Sequence, residues 1–316
     1  MAKSLVIAGQ KIAAGQHDIV KFDVARLPSD TRVQLNVFVY RSKKPGPTLL
    51  AMAGLHGDEI NGVEIIRQSI KNGVFERLQQ GNVIAIPLLN IFGFINFSRD
   101  VPDGKDVNRS FPGRKNGSLA ARVAYALTQH ILPLVDLGID FHTGGGSRHN
   151  FPQIRFSPSD SRARELANVF AAPYHLESRP IAGSLRKEAL KAKKPILVFE
   201  GGESLRFDKH AIEAGLAGMQ RVMHSLGMIP EAPPPEEKSI LLTKNAWIRA
   251  KRSGLFVWVR GSGEFVSKGE LLGLINDPYG KRSVKIKASQ TGYIIGHNNA
   301  PVVNQGDALF HMGYAP

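Results

Sequence analysis

The chain contains no cysteine. That absence excludes disulfides and thiolate-bound zinc, so any metal must be held by His, Asp or Glu. Long apolar runs are missing as well. None approaches the roughly 18–20 residues of a membrane-spanning helix, and no membrane partner is expected. Basic runs are also absent, although the formal net charge is +14 over 316 residues. The densest stretch, 186–194 (RKEALKAKK), has the spacing of a solvated helix face. A nucleic-acid-binding protein would gather such charge into a patch or motif, so no nucleic-acid partner is expected, and an acidic small molecule would also suit a basic protein. In the opening stretch, MAKSLVIAGQKIAAGQ, Gln10 and Lys11 cut a short apolar patch. It does not read as a signal peptide, and a cytoplasmic protein is the expectation.

What is present organises into three parts. The first 45 residues alternate with period two, in IVKFDVARL (19–27) and RVQLNVFVY (32–40), which predicts antiparallel strands. From Pro47 onward, apolar runs alternate with helical periods. Residues 48–54, 82–90, 135–143 and 195–202 read as buried strands, and 59–73, 118–135 and 208–227 as helices, with Ser118 and Asp208 as N-caps. Such alternation predicts an α/β domain over 1–229, a mixed sheet flanked by helices, with its ligand outside the carboxyl ends of the strands. Residues 230–239 (PEAPPPEEKS) hold four of the nineteen prolines and predict an extended, exposed linker.

Residues 240–316 lose the helical period and predict a separate all-β, barrel-sandwich-like module. V-x-x-G-[ED]-x-L occurs twice, at 266 and 303, as two turns of one design, each feeding a strand. Residues 286–296 resemble the second half of a biotinyl or lipoyl carrier domain. The expected hairpin tip, DPYGK (277–281), lacks the carriers' lysine motif, so the module is read as structural.

The chemistry concentrates at strand ends. AGLHGDE (53–59) places His56 and Glu59 three residues apart, close enough to bind one ion from a single turn. His142 ends a second buried strand. Two imidazoles and one carboxylate, with a position left for water, make a common catalytic zinc set. Asp140 shares a strand face with His142 and can contact either a ligating imidazole or the substrate region. Asp58 receives no task. The polar loop 98–113 carries Arg99, Asn108 and Arg109; arginine offers a planar fork for a carboxylate or a developing oxyanion. Glu200 ends an apolar strand, where a carboxylate needs a task or a partner, and it suits the general base that a zinc-bound water requires. Glu203 is its competitor. Arg148, His149, Asn150 and Arg155, soon after His142, are candidate substrate readers or plain loop residues.

Taken together, GLHGDE, DVNRSFPG, DFHTGG and FEGGE resemble the succinylglutamate desuccinylase/aspartoacylase family, relatives of the zinc carboxypeptidases, over about residues 45–225. The resemblance implies a zinc-carboxypeptidase-like fold and one Zn2+ per chain on His56, Glu59 and His142. It further implies Glu200 as the base, Arg99 as the group polarising the scissile carbonyl, and Asn108 with Arg109 as the carboxylate clamp. The expected activity is hydrolysis of a small acidic N-acyl amino acid or similar amide; a zinc carboxypeptidase acting on peptide C-termini is the alternative. A homo-oligomer is left open.

Overall fold

The computed structural model describes residues 5–26 and 29–316; Leu27, which closes the first alternating run, lies outside the described residues. Ten strands run side by side through one mixed sheet. In chain order they are β1 (His17–Arg26), β2 (Arg32–Arg41), β3 (Thr48–Ala53), β4 (Asn82–Ile86), β5 (Leu137–Gly144), β6 (Arg148–Phe156), β7 (Ile196–Glu203), β8 (Lys244–Arg249), β9 (Gly292–Asn298) and β10 (Ala308–Tyr314). Their spatial order is β8-β10-β9-β6-β7-β5-β3-β4-β2-β1. Four adjacent strands, β7, β5, β3 and β4, are parallel, and antiparallel pairs extend the sheet on both sides. Parallel strands are covered on both faces, which is why β3 and β5 are buried at every residue.

Six helices provide the cover: α1 (Ile60–Lys71), α2 (Ile91–Ile95), α3 (Leu119–His130), α4 (Ser161–Phe170), α5 (Leu185–Lys191) and α6 (Lys209–Ser225). One core packs α1, α4 and α6 on a face formed by Leu49, Ala51, Ile139, Phe141, Leu197 and Phe199. The other packs α3 and α5 on Leu50, Met52, Ile84 and Ile196. Odd and even strand positions therefore go to opposite cores, and Asp140, His142, Val198 and Glu200 all fall on the second face. Ser118 and Asp208 cap α3 and α6 as expected, accepting from the N–H groups of Ala121 and Ala211. The helix expected over 118–135 stops at His130 and gives way to a 3-10 turn, Leu132–Leu134. Pro133 explains the stop, since proline supplies no N–H and disfavours helix in the residue before it. Among the described residues no helix is long and apolar enough to cross a membrane.

Residues 230–239 carry no regular structure until Ile240 begins a short strand, and their prolines are mostly exposed. Beyond them the chain is all β. Gly254–Trp258, Leu271–Asn276, Ser283–Lys287 and Val302–Val303 form a four-stranded sheet, whereas β8, β9 and β10 join the central one through the β9–β6 pairing. The repeated turns are alike: Gly269 and Gly306 both take positive φ, +86° and +93°, and each leads into a strand. Asp277 organises the hairpin tip at 277–281 by accepting from the N–H of Tyr279.

Candidate metal centre and substrate cavity

The carboxyl ends of β3, β5 and β7 converge on one cavity of about 360 Å3. Past β3 the chain turns sharply, and Glu59 becomes the N-cap of α1. Two glycines permit this. A Cβ on Gly62 would lie 2.6 Å from the Phe141 Cβ, so only glycine lets α1 press against β5. A Cβ on Gly57 would fall 2.0 Å from backbone atoms of Gly93 and Phe94. Gly57→Ala must therefore displace the loop leading to Arg99, at a cost of about 3 kcal/mol, the scale of overpacking a rigid site. Urea unfolding measures this, and a loss below about 0.5 kcal/mol would show the turn to be pliant.

His56, Glu59 and His142 are buried, and one ligand atom from each lies within 4.8 Å of the others. Among the described residues they are the one such group of three or more. Glu59 Oε1 stands 2.7 Å from His56 Nδ1, Oε2 stands 2.8 Å from His142 Nδ1, and the two Nδ1 atoms are 3.2 Å apart. The outer ring nitrogens are occupied. His142 Nε2–H donates to Asp140 Oδ2 at 2.9 Å, and His56 Nε2–H donates to Asp106 Oδ1 at 3.2 Å. A neutral imidazole that donates through Nε2 presents a lone pair at Nδ1. Two such lone pairs then face a carboxylate and each other, an arrangement that attracts a cation and otherwise needs added protons. The donor set fits a metal ion, with carboxylates behind the histidines fixing their tautomers.

Charge balance gives the same reading. Burial alone would raise Glu59, but His56 and His142 outweigh it and hold the carboxyl well below its ordinary value. Burial would likewise lower both imidazoles; Glu59, with Asp140 beside His142 and Asp106 beside His56, holds them above it. Asp106 is pulled down in turn by His56 and Arg99 against its own burial.

Each residue singled out in the sequence has a definite place. Arg99 reaches Asp106 Oδ2 through Nη2 at 2.9 Å and Glu59 Oε1 through Nη1 at 3.3 Å, so it lies directly against the ligand cluster. Asn108 lines the cavity and uses its Oδ1 to accept the Leu185 N–H at the start of α5. Arg109 lines the cavity half-exposed, 3.9 Å from Asp106. Glu200 faces the same cavity, its Oε2 accepting from Asn150 Nδ2 at 2.8 Å and its Oε1 3.1 Å from Arg155 Nη1. Glu203 is elsewhere, accepting from Asn299 Nδ2. Arg148 lines the cavity and donates to the Gly145 carbonyl. His149 does not face the cavity; it links Asp208 at the α6 cap to Ser262, tying the C-terminal strands down. Asp140 meets the imidazole with one oxygen, and its other, Oδ1, is buried without a partner among the described residues. Asp58 is buried outside the ligand cluster, and its carbonyl accepts the Leu205 N–H.

Among the residues the sequence reading gave no role, Arg186 and Trp247 line the cavity and Asp106 stands behind His56. Arg186, inside the run read as a solvated face, turns into the cavity from the first turn of α5. Burial, with Arg155 nearby, pushes its guanidinium down to about 10, and Nη1 has no partner among the described residues. Its signal was the Ser184 cap, which makes Arg186 a first-turn residue beside buried Leu185. Asp106 was quoted within its loop but given no role. Trp247 reaches the cavity from β8, its ring stacked on His311 at 4.3 Å and 8°; nothing in the local sequence marks it.

Comparison with known proteins gives consistent likenesses. The sequence profile of the succinylglutamate desuccinylase/aspartoacylase catalytic domain matches residues 45–226. The chain is 26% identical to the N-alpha-acetyl-L-2,4-diaminobutyric acid deacetylase of Halomonas elongata, across 93% of this chain and 90% of that protein. A solved succinylglutamate desuccinylase/aspartoacylase from Rhodobacter sphaeroides superposes with a TM-score of 0.86 at 25% identity, covering 95% of this chain and 96% of the other. The product-bound ectoine utilization protein EutE (DoeB) from Ruegeria pomeroyi gives 0.85 at 24% identity, over 94% of each chain.

Proposed function

The chain belongs to the succinylglutamate desuccinylase/aspartoacylase family, and from that premise we propose that it is a zinc-dependent amide hydrolase that deacylates an N-acyl amino acid or a similar small carboxylate-bearing amide. The observation that carries this reading is the convergence of the His56 and His142 lone pairs on Glu59 in the cavity that also holds Glu200. A zinc ion held by His56, Glu59 and His142 would supply Lewis acidity toward the amide carbonyl and acidify a water molecule.

The chain's own groups do the rest. Glu200 takes the proton given up as water adds to the carbonyl carbon, then delivers it to the amine nitrogen as the C–N bond breaks. Asn150 and Arg155 hold that carboxylate from both oxygens, which fixes its aim. Arg99 donates to the carbonyl oxygen as negative charge develops there. Arg109, with the Nδ2 of Asn108, grips a substrate carboxylate and orients the amide.

The amine half is acidic in this proposal. Five arginines line the cavity, at 99, 109, 148, 155 and 186, against Glu59, Asp140 and Glu200. The Halomonas relative is named for a substrate derived from diaminobutyric acid, whose free ammonium would enter this cavity against that excess. Arg186 lines the cavity with its Nη1 buried and unpartnered among the described residues, a charge that an anion in the cavity would balance. Arg186→Ala is expected to raise KM by about 10–100-fold, the loss of one charge-assisted hydrogen bond, with a smaller change in kcat; an unchanged KM would place the anion elsewhere.

The test is a panel of N-acetyl, N-succinyl and N-formyl amino acids, with N-acetyl-diaminobutyric acid and dipeptides included. Hydrolysis of an N-acyl aspartate or glutamate above the diaminobutyrate compound is the expected result. Cleavage of the dipeptides alone would establish the carboxypeptidase reading instead.

A further inference from the structure

Both carboxylate oxygens of Glu200 are held from β6, and each hold is braced in turn by β9 of the C-terminal module. On the Oε2 side the brace is a matter of space. Asn150, which donates to Oε2 at 2.8 Å, pairs across the strands with Gly296. A Cβ on Gly296 would stand 2.6 Å from Asn150 Oδ1. Gly296 does not take positive φ, so its backbone shape alone does not call for glycine. What calls for it is room, as where another group must come close to the interior of a strand.

On the Oε1 side the brace is a relay of hydrogen bonds. Arg155 Nη1 lies 3.1 Å from Oε1, and Arg155 Nε donates to Gln153 Oε1 at 3.4 Å. Gln153 is fully buried and donates through Nε2 to the Ile295 carbonyl of β9 at 3.1 Å. Its amide thus joins the arginine to the strand that also carries Gly296. A bulge makes the double hold possible. Glu200 pairs with Gln153 and Gly202 with Asn150, so three steps of β6 lie against two of β7. Asn150 and Arg155, five residues apart, would face opposite ways under strict alternation, yet both meet Glu200. Bulges re-aim side chains in this way.

With Glu200 read as the general base, we propose that Gly296 and Gln153 are positioning residues, through which β9 of the C-terminal module sets the aim of that carboxylate. No residue of β9 lines the cavity, so the strand acts on turnover only through β6. Proton transfer requires the carboxylate within hydrogen-bond reach of the attacking water. A displacement of ~1 Å is enough to cost about 100-fold in rate.

Gly296→Ala and Gln153→Met test the two braces separately. The first adds a methyl group against Asn150; the second nearly conserves the volume of Gln153 and removes its hydrogen bonds. Each is expected to lower kcat on the best N-acyl amino acid of the panel by about 10–100-fold, with KM nearly unchanged and zinc content at the wild-type level. On a Glu200→Gln background either change should cost less than about 2-fold further, because a role exerted through Glu200 disappears with it. Ile294→Val, which loosens the module's own core from the same strand, should turn over at the wild-type rate. Crystal structures read the aim without turnover: the Glu200 carboxylate should shift by more than ~0.5 Å while His56, Glu59 and His142 stay in place. Wild-type kcat in both brace variants, an unmoved carboxylate in both, a loss that persists in full on Glu200→Gln, or an equal loss in Ile294→Val would each overturn the proposal. Wild-type turnover by Glu200→Gln itself would remove the base reading and this proposal together, whereas failure of the braces alone leaves Glu200 as the base.

Discussion

Glu200→Gln is expected to lower kcat by roughly 10²–10⁴-fold, the contribution of a positioned general base, while metal content stays at the wild-type level. The substitution keeps the shape of a side chain held by Asn150 and Arg155 and removes its capacity to accept and return a proton. Glu203→Gln is the natural control, because Glu203 binds Asn299 outside the cavity lining and should lose little activity. Steady-state kinetics with elemental analysis of both variants decides between the two glutamates. A Glu200→Gln enzyme retaining more than a tenth of the wild-type rate would remove Glu200 as the base; collapse in Glu203→Gln instead would transfer the role.

Loss of the proposed metal is the second large effect. His56→Ala and His142→Ala each delete one of three donors, and each should weaken zinc binding by well over ~100-fold. Asp140→Asn only disturbs the orientation of His142, and should cost about 10–100-fold. Dialysis against a zinc buffer followed by elemental analysis orders the three variants. Thermal melts belong beside it, since each alanine leaves Glu59, which is fully buried, beside a single imidazole. Should both alanine variants keep one zinc per chain, the metal is held by other residues.

The sequence showed the site where backbone period and side-chain chemistry agree. His142 and Asp140 share a face because a strand repeats every two residues, and both do lie on the cavity side of β5. His56 and Glu59 meet because a tight turn, in which the Glu59 N–H donates to the His56 carbonyl at 3.3 Å, brings positions three apart together at the entry to α1. What stayed hidden depends on contacts between distant segments. Arg186 looked like one more base on a charged helix, and only the packing of α5 over β7 turns it inward. Trp247 arrives from β8, more than a hundred residues beyond His142, through pairing that no local pattern encodes. For His149 the sequence left two readings open, and the structure places it outside the cavity lining. It neighbours Asn150, which binds Glu200, yet the next side chain along a strand points to the other face.

Fold class was legible for the same reason as the candidate metal ligands. Fully buried parallel strands must be apolar throughout, and β3 and β5 announce themselves that way. The continuation of the central sheet into β9, β10 and β8 was not, since it hangs on the β9–β6 pairing, whose partners, such as Gly296 and Asn150, lie far apart in the chain and leave no trace in periodicity.

A zinc titration of the metal-free protein, followed by turnover of the best N-acyl amino acid from the panel, tests the central claim most directly. The account predicts no turnover without metal, a linear rise, and a plateau at about one zinc per chain, as a single site of three protein ligands requires. Full turnover by the metal-free protein would contradict it.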